Sequence, residues 1–216
     1  MTSRTEITER IRESCLVAVV RALRKDQCLP LTNALIDGGI HIVEITLTTP
    51  EAIKAIEEIK SVMGDRALIG VGTVLNREQC RAAIDAGAEF VVSPVTKKEI
   101  IDEAHRFGRP VMSGAYTPTE AQFAHEAGSD FIKIFPADRL GPGYIKSLLA
   151  PLPHLRIVPT GGVNLETLQG FLKAGCVALG IGSSLISKSI LQSDDWAALT
   201  RSTVEYVNVL NSEKIG

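Results

Sequence analysis

Apolar residues in this chain follow two recurring patterns. Short runs rich in valine, isoleucine and leucine predict strands: LVAVV at 16–20, IVEIT at 42–46, ALIGVG at 67–72, FVVS at 90–93, PVMS at 110–113, FIKIF at 131–135, RIVPT at 156–160 and VALGIG at 177–182. Between them apolar positions recur at helical spacing, as at Ile53, Ile56, Ile59 and Met63. Gly38, Gly64, Gly87, Gly108, Gly128 and Gly175 end helical stretches, each just before an apolar run, which suits left-handed C-terminal caps. Their spacing of about 20 to 26 residues matches one βα unit, and the longer gap from Gly128 to Gly175 holds two. Helix starts are marked as well. Thr117, Pro118 and Glu120 spell a capping box with proline at the first helical position, Asn76 with Gln79 is similar, and Asp194 and Asp195 precede a helix near Trp196.

Strands alternating with helices over short connections predict a parallel sheet covered by helices. About eight such units predict a closed (β/α)8 barrel of TIM type, one domain over residues 1–216, with an extra helix around residues 4–13 covering its N-terminal end. An open doubly wound sheet is the alternative, but the chain offers no long linker or second domain for the later strands.

Composition narrows the function classes. A length of 216 residues supports one sizeable core, and a net charge of -2 with 22% charged residues gives no basic field for nucleic acid or anionic lipid. No segment is long and apolar enough to span a membrane, and the charged N-terminus has no signal-like apolar stretch. Cys15, Cys28, Cys80 and Cys176 are scattered among core-like residues, which predicts reduced thiols and a cytoplasmic protein. His41, His105, His125 and His154 show no metal-ligand spacing, so neither a metal nor a cofactor is expected.

The candidate chemistry begins at Lys133, an ammonium within a strand that should be buried on both faces. Taking that charge out of water costs several kcal/mol unless it is paired or neutralised, and the neutral amine is a nucleophile. Side chains two apart share a strand face. Val17, Val19 and Arg21 form one such set, Ile42, Glu44 and Thr46 a second, Ile69, Val71 and Thr73 a third, and Phe131, Lys133 and Phe135 a fourth. If these faces point inward, Arg21, Glu44, Thr73 and Lys133 converge at the mouth of the barrel. Together they suit a keto acid: Lys133 to form an iminium, Glu44 to move protons, Arg21 and Thr73 to grip a carboxylate. The plainer alternative for Glu44 is an ion pair with Arg21 or Lys133. PTGGV at 159–163 and GIGSSL at 180–185 add glycine turns after the last two strands, predicting phosphate contacts at Thr160, Gly161, Gly162, Gly182 and Ser183, with Ser183 opening a short helix.

These residues resemble the class I aldolases for 2-keto-3-deoxy-6-phosphogluconate (KDPG) and 4-hydroxy-2-oxoglutarate (KHG). The resemblance rests on AVVRA at 18–22, VEITLTTPEA at 43–52, GVGTVLN at 70–76, Ser93 with Pro94, FIKIFPA at 131–137 and the two glycine motifs. It implies a metal-independent barrel, usually a homotrimer, with Lys133 as the Schiff-base lysine and Glu44 as acid/base. It further implies that Thr73 and Pro94 line a pyruvate pocket, that Phe135 packs beside it, and that the glycine turns with Ser183 hold phosphate. Two positions depart from the pattern. Thr48 stands where some members carry a carboxylate-binding arginine, and Arg21 is similar to the arginine other branches use, including those acting on the galactonate epimer. Ser113 stands where a proline is common, which implies a changed loop near the pocket. The expected reaction is cleavage of a phosphorylated keto-deoxy sugar acid to pyruvate and glyceraldehyde 3-phosphate. Its alternatives are KHG cleavage, a sugar-phosphate epimerase and a non-catalytic sensor.

Overall fold

The computed structural model describes residues 3–214, with side chains through Ser212. The two residues at each end of the expected 1–216 domain lie outside the described residues. Eight strands run β1 Leu16–Val20, β2 Ile42–Thr46, β3 Leu68–Gly72, β4 Phe90–Val92, β5 Val111–Ala115, β6 Phe131–Ile134, β7 Ile157–Pro159 and β8 Leu179–Ile181. Helix α1, Arg4–Ser14, precedes β1. After successive strands come α2 Cys28–Asp37, α3 Ala52–Met63, α4 Arg77–Asp85, α5 Lys98–Arg106, α6 Pro118–Glu126, α7 Gly141–Leu149 and α8 Leu168–Lys173. Two helices, α9 Lys188–Ser193 and α10 Trp196–Lys214, follow β8.

The sheet is parallel and orders its strands β7-β6-β5-β4-β3-β2-β1-β8. Between β7 and β8 the ladder shrinks to a Thr160–Gly180 bridge and one bond, in which Val177 N–H donates to Ile157 O at 3.0 Å. The barrel is closed there by a narrow seam.

Two apolar layers hold it. Ala18, Val43, Ile69, Val91 and Ile132 pack outward against the helices, whereas Val17, Ile42, Leu68, Phe90, Met112 and Phe131 fill the interior. Ile7 and Ile11 of α1 join the interior group, both fully buried, so α1 stoppers the N-terminal end. A capping box fixes its start: Glu6 N–H donates to Ser3 Oγ at 3.2 Å and Ser3 N–H to Glu6 Oε2 at 2.6 Å. The other expected helix starts form too, at Thr117–Glu120, Asn76 and Asp195.

Three expectations need correction. Gly38 keeps a right-handed φ of -84° and Gly39 makes the left-handed turn instead; Gly38 lies so close against Thr203 of α10 that a side chain there would collide with it. Cys15 is a partly exposed helix cap rather than a core thiol, although Cys28, Cys80 and Cys176 are buried and all four are free. Burial pushes the thiols of Cys80 and Cys176 up to about 12. On β3 the inward face is Leu68, Gly70 and Gly72, while Ile69 and Val71 face the helices.

Candidate active site

Lys133 and Glu44 meet inside the mouth of the barrel. Phe131 and Ile42, two residues earlier on each strand, belong to the interior layer, so alternation brings both ionisable side chains inward above it. Lys133 Nζ lies 3.6 Å from Glu44 Oε1, with the side chains 8% and 3% exposed. That distance is an ion pair but too long for a hydrogen bond, and Glu44 Oε1 is a buried acceptor without a hydrogen-bond partner. The arrangement thus leaves a lone pair facing a primary amine, with no direct proton link between them. Glu44 forms no ion pair with Arg21 among the described residues.

Two glycines make this possible. A Cβ on Gly72 would stand 1.9 Å from Glu44 Oε1, so the carboxylate occupies space that only glycine leaves open. Gly114, paired with Lys133 across β5 and β6, lies beneath Pro94, whose carbonyl oxygen would be 2.0 Å from an added Cβ. Pro94 is therefore folded over the strand next to Lys133. Neither Gly72 nor Gly114 was expected as a site residue; the visible signal for Gly72 was glycine at alternate positions, Gly70 and Gly72, in a strand otherwise filled by bulky residues.

Beside the pair is a cavity of about 460 Å³, lined by Arg21, Phe135, Thr160, Gly161, Gly162, Gly182 and Ser183 as expected, and by Lys188 and Ser184, which were not. Lys133 and Glu44 do not line the cavity themselves; Phe135 connects the two regions, with its ring centroid 5.5 Å from Lys133 Nζ. Gly161 and Gly162 have φ of 87° and 72°, and a Cβ on Gly162 would stand 2.5 Å from Asp138 Cα. Two successive residues in this region form a backbone cradle that a side chain would both strain and obstruct. Neither Arg21 nor Lys188 has an acidic partner among the described residues, so two cations border the cradle unpaired.

Pro94 does not line this cavity, and neither does Thr73. It follows β3, half-buried, with φ 62°, an unusual conformation for a β-branched residue. Ser183 begins a turn rather than a helix. The N–H groups of Leu185 and Ile186 both donate to Gly182 O, and α9 starts only at Lys188 behind its cap Ser187. Ser113 lies within β5, in no loop, on the face opposite Met112, and its N–H donates to Ser129 Oγ at 3.0 Å. A proline could not make that bond, so the change belongs to the β5–β6 contact and not to the pocket.

The family model described as "KDPG and KHG aldolase" matches residues 7–202. The chain belongs to this family. The aldolase is 42% identical over 171 residues to the 2-dehydro-3-deoxy-6-phosphogalactonate aldolase of Escherichia coli (strain K12), covering 79% of this chain and 83% of that protein. It is 32% identical over 206 residues to the 2-dehydro-3-deoxy-phosphogluconate aldolase of Haemophilus influenzae, covering 95% and 97%. Among solved structures it resembles the KDPG aldolase of Legionella pneumophila with pyruvate captured at low pH as a covalent carbinolamine intermediate. That match has a TM-score of 0.85 at 29% identity, over 94% of this chain and 97% of that one. An aldolase is a carbon–carbon lyase, which sets aside the epimerase and sensor readings. No described helix is long and apolar enough to cross a membrane.

Proposed function

We propose that this aldolase cleaves 2-keto-3-deoxy-6-phosphogluconate, or its galactonate epimer, reversibly to pyruvate and glyceraldehyde 3-phosphate. The observation that carries the reading is the buried Lys133–Glu44 pair, 3.6 Å apart, beside a glycine cradle bordered by unpaired Arg21 and Lys188. Lys133 Nζ adds to the C2 ketone, and loss of water leaves a protonated iminium. The C4 hydroxyl gives up its proton as the C3–C4 bond breaks; its electron pair moves into the iminium to form an enamine, and the aldehyde departs. Protonation of C3 and hydrolysis then release pyruvate and the free amine. Glu44 supplies and removes these protons, since its unpartnered oxygen faces the amine. In this reading Arg21 and Thr73 take the carboxylate, Pro94 and Phe135 wall the pyruvate unit, and Thr160, Gly161, Gly162, Gly182 and Ser183 receive the phosphate; Arg21, Phe135 and the five phosphate contacts all line the cavity.

Borohydride reduction with pyruvate, followed by peptide mass spectrometry, tests the chemistry. The expected label is on Lys133, absent in Lys133→Met; a folded protein that takes no label would overturn the mechanism. Substrate choice is read from kcat/KM. Both phosphorylated acids are expected to exceed 4-hydroxy-2-oxoglutarate, which has no phosphate for the cradle, and the reverse order would reject that assignment. We further assign the protein to the cytoplasm, in keeping with its free thiols, and to a homotrimer. Leu75, Val95 and Tyr116, exposed apolar side chains in the loops after the neighbouring strands β3, β4 and β5, support an interface there. Sedimentation gives the mass directly.

A further inference from the structure

Arg21 is held by a chain of hydroxyl groups. Its Nε donates to Thr48 Oγ1 at 3.1 Å, Thr48 Oγ1 lies 2.8 Å from Thr46 Oγ1, and Thr46 Oγ1 donates to Val20 O at 3.0 Å. The proton positions in this chain follow from chemistry alone. A guanidinium only donates and a carbonyl only accepts, so Thr46 must spend its hydrogen on Val20, and Thr48 must spend its own on Thr46. Thr48 is left with a lone pair for Arg21. The backbone is tied by the next threonine: Ala22 N–H donates to Thr49 Oγ1 at 3.1 Å, and Thr49 is buried.

Two consequences follow for the guanidinium. Occupying Nε leaves both terminal nitrogens, the fork that matches a carboxylate, free at the cavity that Arg21 lines. Because the chain ends on a main-chain carbonyl, it orients the guanidinium without cancelling its charge; a carboxylate in the place of Thr48 would do the opposite. We infer that Thr48, backed by Thr46, is a positioning residue for Arg21 and sets the affinity of the site for the keto-acid carboxylate. The inference rests on Arg21 taking that carboxylate, as proposed above.

The test separates the two claims. Pyruvate concentration is varied in borohydride trapping, and KM and kcat are measured for the phosphorylated substrate, in the native protein and in Thr48→Val, Thr48→Ser, Arg21→Ala and the Arg21→Ala/Thr48→Val double variant. Thr48→Val should raise half-saturating pyruvate about five- to ten-fold, the effect of removing one charge-assisted hydrogen bond partly replaced by water. It should leave kcat within about two-fold, and Thr48→Ser should restore native saturation, since the hydroxyl is what matters. In the Arg21→Ala background Thr48→Val should add nothing. If Arg21→Ala weakens pyruvate but Thr48→Val does not, the positioning role is overturned while the reading of Arg21 stands. If Arg21→Ala leaves pyruvate saturation unchanged, the carboxylate reading fails and this inference falls with it.

Discussion

Replacing Gly72 by alanine should disable the carboxylate of Glu44, the proposed proton carrier, while leaving the barrel folded. The added methyl would begin 1.9 Å from Glu44 Oε1, 2.6 Å from Cδ and 2.7 Å from Cγ. The carboxylate would have to retreat by about 1 Å or more to reach ordinary van der Waals separation. Gly72 does not have a positive φ, so alanine suits the strand itself and the conflict is confined to the Glu44 side chain. Overpacking of this kind costs about 1–3 kcal/mol of stability. A displacement of about 1 Å in a reacting group can cost on the order of 100-fold in rate, equivalent to about 2.7 kcal/mol of barrier. Pyruvate release coupled to lactate dehydrogenase gives kcat, and a thermal melt gives the midpoint. The expected result is a kcat lower by about 100-fold with a midpoint lower by roughly 2–12 °C, at about 2–4 °C per kcal/mol for a domain of this size. A Gly72→Ala protein that turns over at the native rate would show that the position of Glu44 does not govern the reaction, and would refute the role assigned to it.

Other outcomes follow from neighbouring features. Gly162→Ala places a methyl 2.5 Å from Asp138 Cα at a φ of 72°, which distorts the glycine cradle proposed to hold the phosphate. KM for the phosphorylated substrate should then rise by about 10-fold, the worth of one hydrogen bond to the phosphate, while trapping by pyruvate alone stays near native. Ile11→Ala empties the stopper beneath the barrel and should cost about 2–5 kcal/mol in denaturant unfolding without changing kcat in the folded protein; unchanged stability would mean that α1 is dispensable. The carboxyl of Glu120 accepts from the N–H of Tyr116 and from the hydroxyl and N–H of Thr117, which hold it below its ordinary value of 4.5. A folded-state value below the unfolded one means that the contribution is present above pH 4.5 and disappears as pH falls through the lower folded value. The stability gap between native protein and Glu120→Ala should therefore be full at about pH 7 and shrink as pH falls below 4.5; a gap independent of pH would exclude this origin.

Much of this architecture was legible because each βα unit announces itself. β-branched runs, capping boxes and glycine caps located the strands and most helix ends, and the faces of β1, β2 and β6 followed from alternation, since Arg21, Glu44 and Lys133 each sit on the face of an interior side chain earlier in the same strand. Alternation failed on β3. Barrel strands are buried on both faces, so hydrophobicity does not distinguish them, and the inward face there is marked by Gly70 and Gly72, which carry no side chain to read. Thr73 takes a left-handed backbone conformation that no residue pattern encodes. The hydroxyl chain at Arg21 joins segments 27 residues apart, so VEITLTTPEA could be noticed as a motif before the reason for its threonines could be seen.

The seam between β7 and β8 has a mechanical consequence. A hoop is only as secure as its clasp, and here the clasp is the Thr160–Gly180 bridge, directly below the turns that form the two halves of the glycine cradle. A phosphate gripped by both turns would rivet the hoop from outside. Amide exchange at Val177, whose N–H donates across the seam to Ile157 O, should then slow when phosphorylated substrate is present, which would make the group that anchors the substrate also the one that locks the barrel shut during turnover.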